Sequence, residues 1–412
     1  MTVSTMSAPK KWLILFAAML PQMFIWGILL FAFPLWSVPW IKTYSASHSQ
    51  IMATSMCMLF GIGWLSPLGG YMAEKINVRN LIAVGVIVNS LTFLLLARAT
   101  AMWQVTLLYA LPLAAGLVLT SQMMGQILAV NLFRPKSGLA IGVVSMGAAI
   151  GGIISPFVIN KLLSAHSWQT AFVIFAIAGM ALLPVVLLLI PKLSRSLESE
   201  QKQMPATVRI SAMAIMTDRT FICTSIMIVF ILNLLFNAVF YNLGPYMQDI
   251  GGNVASTAKI VSVSAVTGAF GMVAFAALAD RFDYRLILLL AVILVGFGVA
   301  AAGSGANVEE TLLTLPTMAV TAGGVVSLVP VIMAQRFGRD NFARATGLSL
   351  PFSFLGSIGP FIAGFGRDKL GSYPHTFAAM LGLILIPILG LLLLATMRNS
   401  KPALAGELQK GF

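Results

Sequence analysis

In one apolar stretch of this 412-residue sequence, Asn233, Asn237 and Tyr241 recur at every fourth position. On a helix that spacing stacks them on one face. Two amides and a phenol can hydrogen-bond a polar guest. They can equally bind a neighbouring helix, where such bonds contribute about 0.6 kcal/mol each. Gln122 and Gln126 repeat the four-residue step in a second apolar stretch, with the same two uses. Near the start of the chain Gln22 and Trp26 share a face, and Phe33 lies farther along it. Most aromatic side chains there are expected to pack or meet lipid; Trp26 stands apart because it falls at mid-depth, away from an interfacial belt. Ser349, Ser353 and Ser357 also step by four. Small hydroxyls at that spacing favour close helix packing, and Ser353 is kept as a candidate contact.

This inventory excludes several chemistries. No Asp, Glu, Lys, Arg or His falls near the middle of any long apolar stretch, so at that depth no nucleophile has a base beside it. An enzyme is therefore not expected, and neither is a metal or other cofactor. His48, His166 and His375 fall in or beside polar connections, and Cys57 and Cys223 lie inside apolar runs as packing residues. Neutral polar groups beside aromatic faces suit reversible binding of a small-molecule solute. Any accompanying proton would travel on the solute or be taken by Asp249.

The elements that position these residues follow from composition. Hydrophobic residues make up 59% of the chain and charged residues only 9%, against roughly 25% charged in soluble domains. Cutting at every Lys, Arg, Asp and Glu leaves twelve charge-free stretches of at least 18 residues: 12–41, 43–73, 80–97, 99–133, 137–160, 162–191, 220–248, 260–279, 286–308, 311–335, 345–366 and 370–397. A membrane-spanning helix needs about 20 apolar residues, because each backbone polar group must be paired within the segment. The fold expected is an all-α membrane protein of twelve transmembrane helices, the first of them retained after Lys10 and Lys11 instead of cleaved as a signal.

Sorting the connections by side puts nineteen of the 25 basic residues on the side of the termini. That bias predicts cytoplasmic termini in a bacterial inner (plasma) membrane. The net charge of +13 is then topogenic, in contact with anionic lipid headgroups, and nucleic acid is not an expected partner.

Two halves share one design. GYMAEKINVRN at 70–80 carries Glu74, Lys75 and Arg79, and AALADRFDYRL at 276–286 carries Asp280, Arg281 and Arg285, each pair 206 residues apart. The stretch 133–156 answers 337–360, with Ala140 and Gly142 matching Ala345 and Gly347, and Pro156 matching Pro360. Duplication of a six-helix bundle, in one orientation, implies a parallel pseudo-two-fold repeat. The bundles are expected at 1–190 and 219–412, joined by a polar cytoplasmic linker over 191–218. The six charged residues of the paired loops are expected to gate the molecule through ion pairs at helix ends. The glycines of GAAIGG at 147–152 are expected to let the fifth helix pack closely.

These loops and this duplication resemble the major facilitator superfamily over essentially the whole chain. Asn77 replaces a common glycine of the loop pattern, and Val78 replaces a frequent basic residue. FAFPLWSVPWIK at 31–42, FRPKSGLAIGV at 133–143 and HSWQTAF at 166–172 are similar to the branch of monocarboxylate transporters and oxalate-formate exchangers. The resemblance implies rocking bundles around a midplane site lined by the first, fourth, seventh and tenth helices. It implies a monomeric secondary transporter of an organic acid, by symport or a related mode, or alternatively an efflux permease for amphipathic or neutral compounds. The branch's charged binding groups do not carry over: its helix-one lysine falls on Leu35, its helix-eight arginine near Met272 and that arginine's aspartate partner near Gly268.

Overall fold

The computed structural model describes residues 6–133, 140, 143–144, 146–191, 211–279, 281–305 and 307–396. Asp280, the Glu74 side chain and positions 192–210 of the expected linker lie outside the described residues.

Twelve transmembrane helices form two six-helix bundles. In the first, α1 runs through Ala8–Trp26, a π-helical turn at Gly27–Phe31, and Phe33–Tyr44. It is followed by α2 (His48–Lys75) and α3 (Val78–Ala97). Helix α4 comprises Met102–Leu108, a π-helical turn at Tyr109–Leu113, Ala114–Leu119 and, after a break, Gln122–Leu132. Helices α5 (Gly147–Ala165) and α6 (Trp168–Leu189) complete this bundle. The second begins with α7, which joins Arg219–Phe221, a π-helical stretch at Ile222–Val229 and Phe230–Tyr241, and is prolonged by Leu243–Asp249. Then come α8 (Val254–Ala279), α9 (Tyr284–Gly303), α10 (Val308–Phe337), α11 (345–370) and α12 (Tyr373–Thr396).

Eleven helices among the described residues are long and apolar enough to cross a membrane. The twelfth charge-free stretch, 345–366, is shorter in regular helix because a 3-10 turn at Gly356–Ile358 interrupts it. A loop was expected between α10 and α11, yet the backbone is helical without interruption from Val308 to Leu355, 48 residues. At about 1.5 Å per residue that length is roughly 72 Å, more than twice a hydrocarbon core. Side-chain partners show that the chain reverses within it. Thr311 lies beside Tyr246 near the far end of α7, Arg336 pairs with Asp218 at its start, and Gly356 adjoins Asn233 near its middle, so the turn falls between Arg336 and Gly356.

Within each bundle, helices cross at backbone contact. A Cβ on Gly151 of α5 would lie 2.0 Å from the Met23 carbonyl oxygen of α1. The counterpart in the second bundle is Gly359 of α11, 2.1 Å from the Leu234 carbonyl oxygen of α7 by the same measure. The glycine run of α5 therefore packs as expected. The paired loops match in detail too: Asn77 caps α3 by accepting from the Arg79 backbone N–H at 3.1 Å, and Asp283 caps α9 by accepting from that of Arg285 at 2.9 Å. Asn77 and Asp283 are again 206 residues apart. The residue that departs from the loop pattern thus has a capping role of its own.

Gly151→Val forces a branched side chain into the Met23 carbonyl, and its thermal unfolding in detergent is expected to show a loss of about 1–3 kcal/mol or more. Gly70→Ala is the control, because a Cβ there meets nothing within 4 Å, and should leave the transition unchanged or slightly raised.

Candidate functional site

Loops at 45–47, 250–253 and 371–372 mark the membrane face opposite the termini, here called the distal face. On that side the bundles touch across a seam. A Cβ on Gly244 would lie 1.9 Å from the Pro34 carbonyl oxygen, so α7 and α1 meet backbone to backbone. Below this contact Phe33 meets Tyr241 edge to face at 5.7 Å, and Phe31 meets Phe240 at 6.5 Å. Phe236 stacks on Phe240 at 5.3 Å, extending an aromatic roof down α7. Deeper in the seam, the buried Ser262 of α8 donates to the Ile153 carbonyl of α5 at 2.9 Å.

The candidate residues divide around this roof. Asn237 is half-buried, and its amide makes no hydrogen bond to the described residues. Asn233 has a different role: its amide donates to the Val229 carbonyl one turn back at 3.0 Å, and its Cβ adjoins Gly356 of α11. Tyr241 is buried, with its ring between Phe33 and Phe240. The three residues of the four-residue stripe thus have different surroundings.

Helix α4 is broken at Thr120–Ser121, which leaves the Leu117 carbonyl without its helical donor. The indole of Trp26 supplies one, at 3.3 Å. The Trp26 N–H is thus engaged within its own bundle, and only its ring faces remain for other contacts. Gln122 is half-buried at the first position after this break, behind Ser121, and Gln126 is half-buried one turn on. Ser353 is half-buried on α11, next to the Phe354 ring that lies against Gly63 of α2.

Two of the expected gating residues have partners within their own bundle. Lys75 donates to the Tyr71 hydroxyl of its own helix, and Arg79 donates to the Leu187 carbonyl of α6 at 3.3 Å. Arg281 is exposed, and the Arg285 guanidinium lies 5.8 Å from the Tyr284 ring.

Periodicity did not reveal several polar anchors. Asn242 donates to the Ala238 and Pro360 carbonyls at 2.8 and 3.1 Å and accepts from the Tyr373 hydroxyl at 2.9 Å, tying α7, α11 and α12 together. Asp249 accepts from Arg367 at 2.8 and 3.1 Å and from the Tyr373 backbone N–H at 3.3 Å. Buried Gln22, with its amide nitrogen turned toward the Val144 carbonyl (3.2 Å) and its oxygen toward the Ala148 N–H (3.3 Å), joins α1 to α5. No cluster that could hold a metal ion occurs among the described residues.

The sequence pattern of the Major Facilitator Superfamily matches residues 15–358. The chain belongs to this superfamily. Among characterised relatives it is 24% identical to monocarboxylate transporter 12 of Mus musculus, over 76% of this chain and 70% of that one. It is 22% identical to monocarboxylate transporter 13 of Rattus norvegicus, over 89% and 84%. It is also 24% identical to the agnestins efflux protein AgnL12 of Paecilomyces divaricatus, over 78% and 71%. The fold is similar to that of the nucleoside transporter NupG, with a TM-score of 0.78, 13% identity and coverage of 94% of this chain and 100% of that one. A bacterial homologue of the human lysosomal transporter Spinster, inward-facing and occupied, gives a TM-score of 0.72 at 15% identity over 94% and 97%.

The positions to which the monocarboxylate branch would assign its charged groups are occupied by packing. A Cβ on Gly323 of α10 would fall 1.9 Å from the Gly268 carbonyl oxygen of α8, and the Met272 carbonyl accepts from Ser327 at 2.8 Å. Leu35 is buried. Helices α8 and α10 are zipped by small residues along the line where those groups would project.

Tyr373→Phe removes the donor to Asn242 Oδ1 and leaves a buried acceptor unpaired, so its unfolding free energy is expected to fall by about 1–3 kcal/mol. Asn237→Ala should leave the same thermal transition unmoved.

Proposed function

We propose that the chain is a secondary active transporter that moves a small organic acid of the monocarboxylate kind by alternating access, the two bundles rocking about the seam. The observation that carries this reading is the unengaged amide of Asn237 below the Phe31–Phe240 roof. An amide can pair with the carboxyl group of a protonated acid, donating to its carbonyl and accepting from its hydroxyl, while the ring faces take the apolar part of the solute. Trp26, Gln122, Gln126, Asn233, Tyr241 and Ser353 complete the proposed lining, with Asn233 and Tyr241 acting mainly by positioning. The names of the monocarboxylate transporter relatives support the substrate class.

Coupling follows from the neutral lining. Asp249 is held by Arg367 and the Tyr373 N–H, so in this reading the proton moves on the solute. The paired loops, with Glu74, Lys75 and Arg79 and with Asp280, Arg281 and Arg285, are assigned to closure of the face that bears the termini. We place that face in the bacterial cytoplasm on the strength of its basic residues, with the bundles at 1–190 and 219–412 and the protein working as a monomer.

A specific observation also favours efflux of amphipathic compounds as a second reading: the roof is aromatic and uncharged, and one relative is named an efflux protein. Uptake of labelled short carboxylic acids and of neutral analogues into proteoliposomes, across pH, separates the two. Acid-selective uptake that rises as the solute is protonated is expected. Indifference to the carboxyl group, with inhibition by amphipaths, would favour efflux. Asn237→Ala should raise the apparent KM about two- to tenfold, from loss of a neutral hydrogen bond of about 0.5–1.5 kcal/mol; Asn233→Ala should do less. Unchanged transport in the Asn233→Ala, Asn237→Ala and Gln126→Ala variants together would eliminate the site.

A further inference from the structure

On the distal face, α11 and α2 approach closely: a Cβ on Gly364 would lie 2.8 Å from the His48 carbonyl oxygen. One turn farther, Asp368 crosses between the bundles. Its Oδ1 accepts the His48 backbone N–H at 3.0 Å and lies 3.1 Å from His48 Nδ1. Its Oδ2 accepts the Ser49 backbone N–H at 2.9 Å. These are the first two N–H groups of α2, which helical geometry leaves without intrahelical acceptors, at the positive end of the helix. Ser47, the N-cap, accepts from the Gln50 N–H through its hydroxyl. The first turn of α2 is therefore capped partly by its own bundle and partly by the other.

The residue beside Asp368 points elsewhere. Arg367 forms its two hydrogen bonds with Asp249 inside the second bundle, so it fixes the helix end from which Asp368 reaches out. The charged and titratable groups around Asp368 are His48 on α2, Arg367 and Lys369 on its own helix, and Asp249 and Tyr373 beyond them. Burial alone would raise the Asp368 carboxyl; the bonds from Ser49 and His48 outweigh it and hold the group below its ordinary range. A contact with that sign is intact above the ordinary carboxylate pKa and is lost only as pH falls through the lowered value. Near neutrality the carboxylate is charged and seated.

We propose that Asp368 is a gating residue of the transport cycle, holding the distal face of the seam shut through the N-terminal N–H groups of α2 and leaving that seat when the face opens. This rests on the alternating-access reading. The bonds involve a full charge and a helix end, so they are strong while formed. They also end abruptly on separation, as a two-state seam requires.

The test measures distance and needs no solute. Spin labels at Lys161→Cys and Ser304→Cys, in a Cys57→Ala, Cys223→Ala background, report the separation of the two bundles on the distal face by pulsed electron paramagnetic resonance. Asp368→Asn leaves one oxygen and turns a donor toward the other N–H. His48→Pro removes a donor and the imidazole from the opposite side; proline is tolerated at the first helical position, and Ser47 is already extended at φ −68° and ψ 159°. Each variant is expected to raise the long-distance population at least fivefold, the double variant no further than either single one, and Asp368→Glu to restore much of the short distance. Unchanged distances in folded Asp368→Asn and His48→Pro would overturn the latch while leaving the Asn237 site untouched. Failure to find a transported acid would refute the solute assignment without moving these distances. If Asp368→Asn does not fold, His48→Pro and Asp368→Glu decide the question.

Discussion

Within a bilayer a backbone N–H or C=O without a partner costs several kcal/mol, and two departures from regular helix among the described residues answer that constraint directly. Helices α1, α4 and α7 each contain a π-helical turn, and α4 is also broken outright. Each irregularity frees or misaligns carbonyls at a depth where water cannot reach. Two are met by indoles: Trp36 donates to the Ile28 carbonyl at 2.9 Å, and Trp26 donates to that of Leu117. Tryptophan suits the task because it brings one donor on a large apolar body. Two of the irregular helices, α1 and α7, meet at the seam, which is where backbone of this kind is tolerated in transporters.

The same constraint explains how the halves divide their polar groups. Inside each bundle, amides such as Asn242 and Gln22 satisfy backbone atoms, Asn242 also taking the Tyr373 hydroxyl, and helices cross where glycine lets carbonyls come close. Between the bundles lie an aromatic roof, glycines against the Pro34 and His48 carbonyls, a serine on a carbonyl, and a carboxylate on a helix end. Such contacts can be broken and remade without leaving a buried charge in lipid.

Much of this was legible in the residues. Charge-free runs marked the spans because a helix in lipid excludes charge along its whole length, and the 206-residue offset exposed the duplication down to the caps Asn77 and Asp283. The glycine run at 147–152 announced close packing because little else explains three glycines and two alanines within six positions. Other features left no periodic trace. The π-helical turn of α1 follows from Pro34 only once the helix is known to continue past it. Asn237 and Asn233 were indistinguishable by spacing, since what separates them is a local choice of acceptor, the Val229 carbonyl. The contact between Asp368 and His48 joins residues 320 positions apart, and neither lies in a repeated motif.

The glycine crossings carry a mechanical implication. Where Gly151 rests on the Met23 carbonyl, and Gly359 on that of Leu234, no side chain intervenes that could change rotamer and absorb a displacement. Each pair of helices is then a stiff lever instead of a cushion. A displacement of α1 or α7 is therefore passed directly to α5 or α11, the helix packed against it.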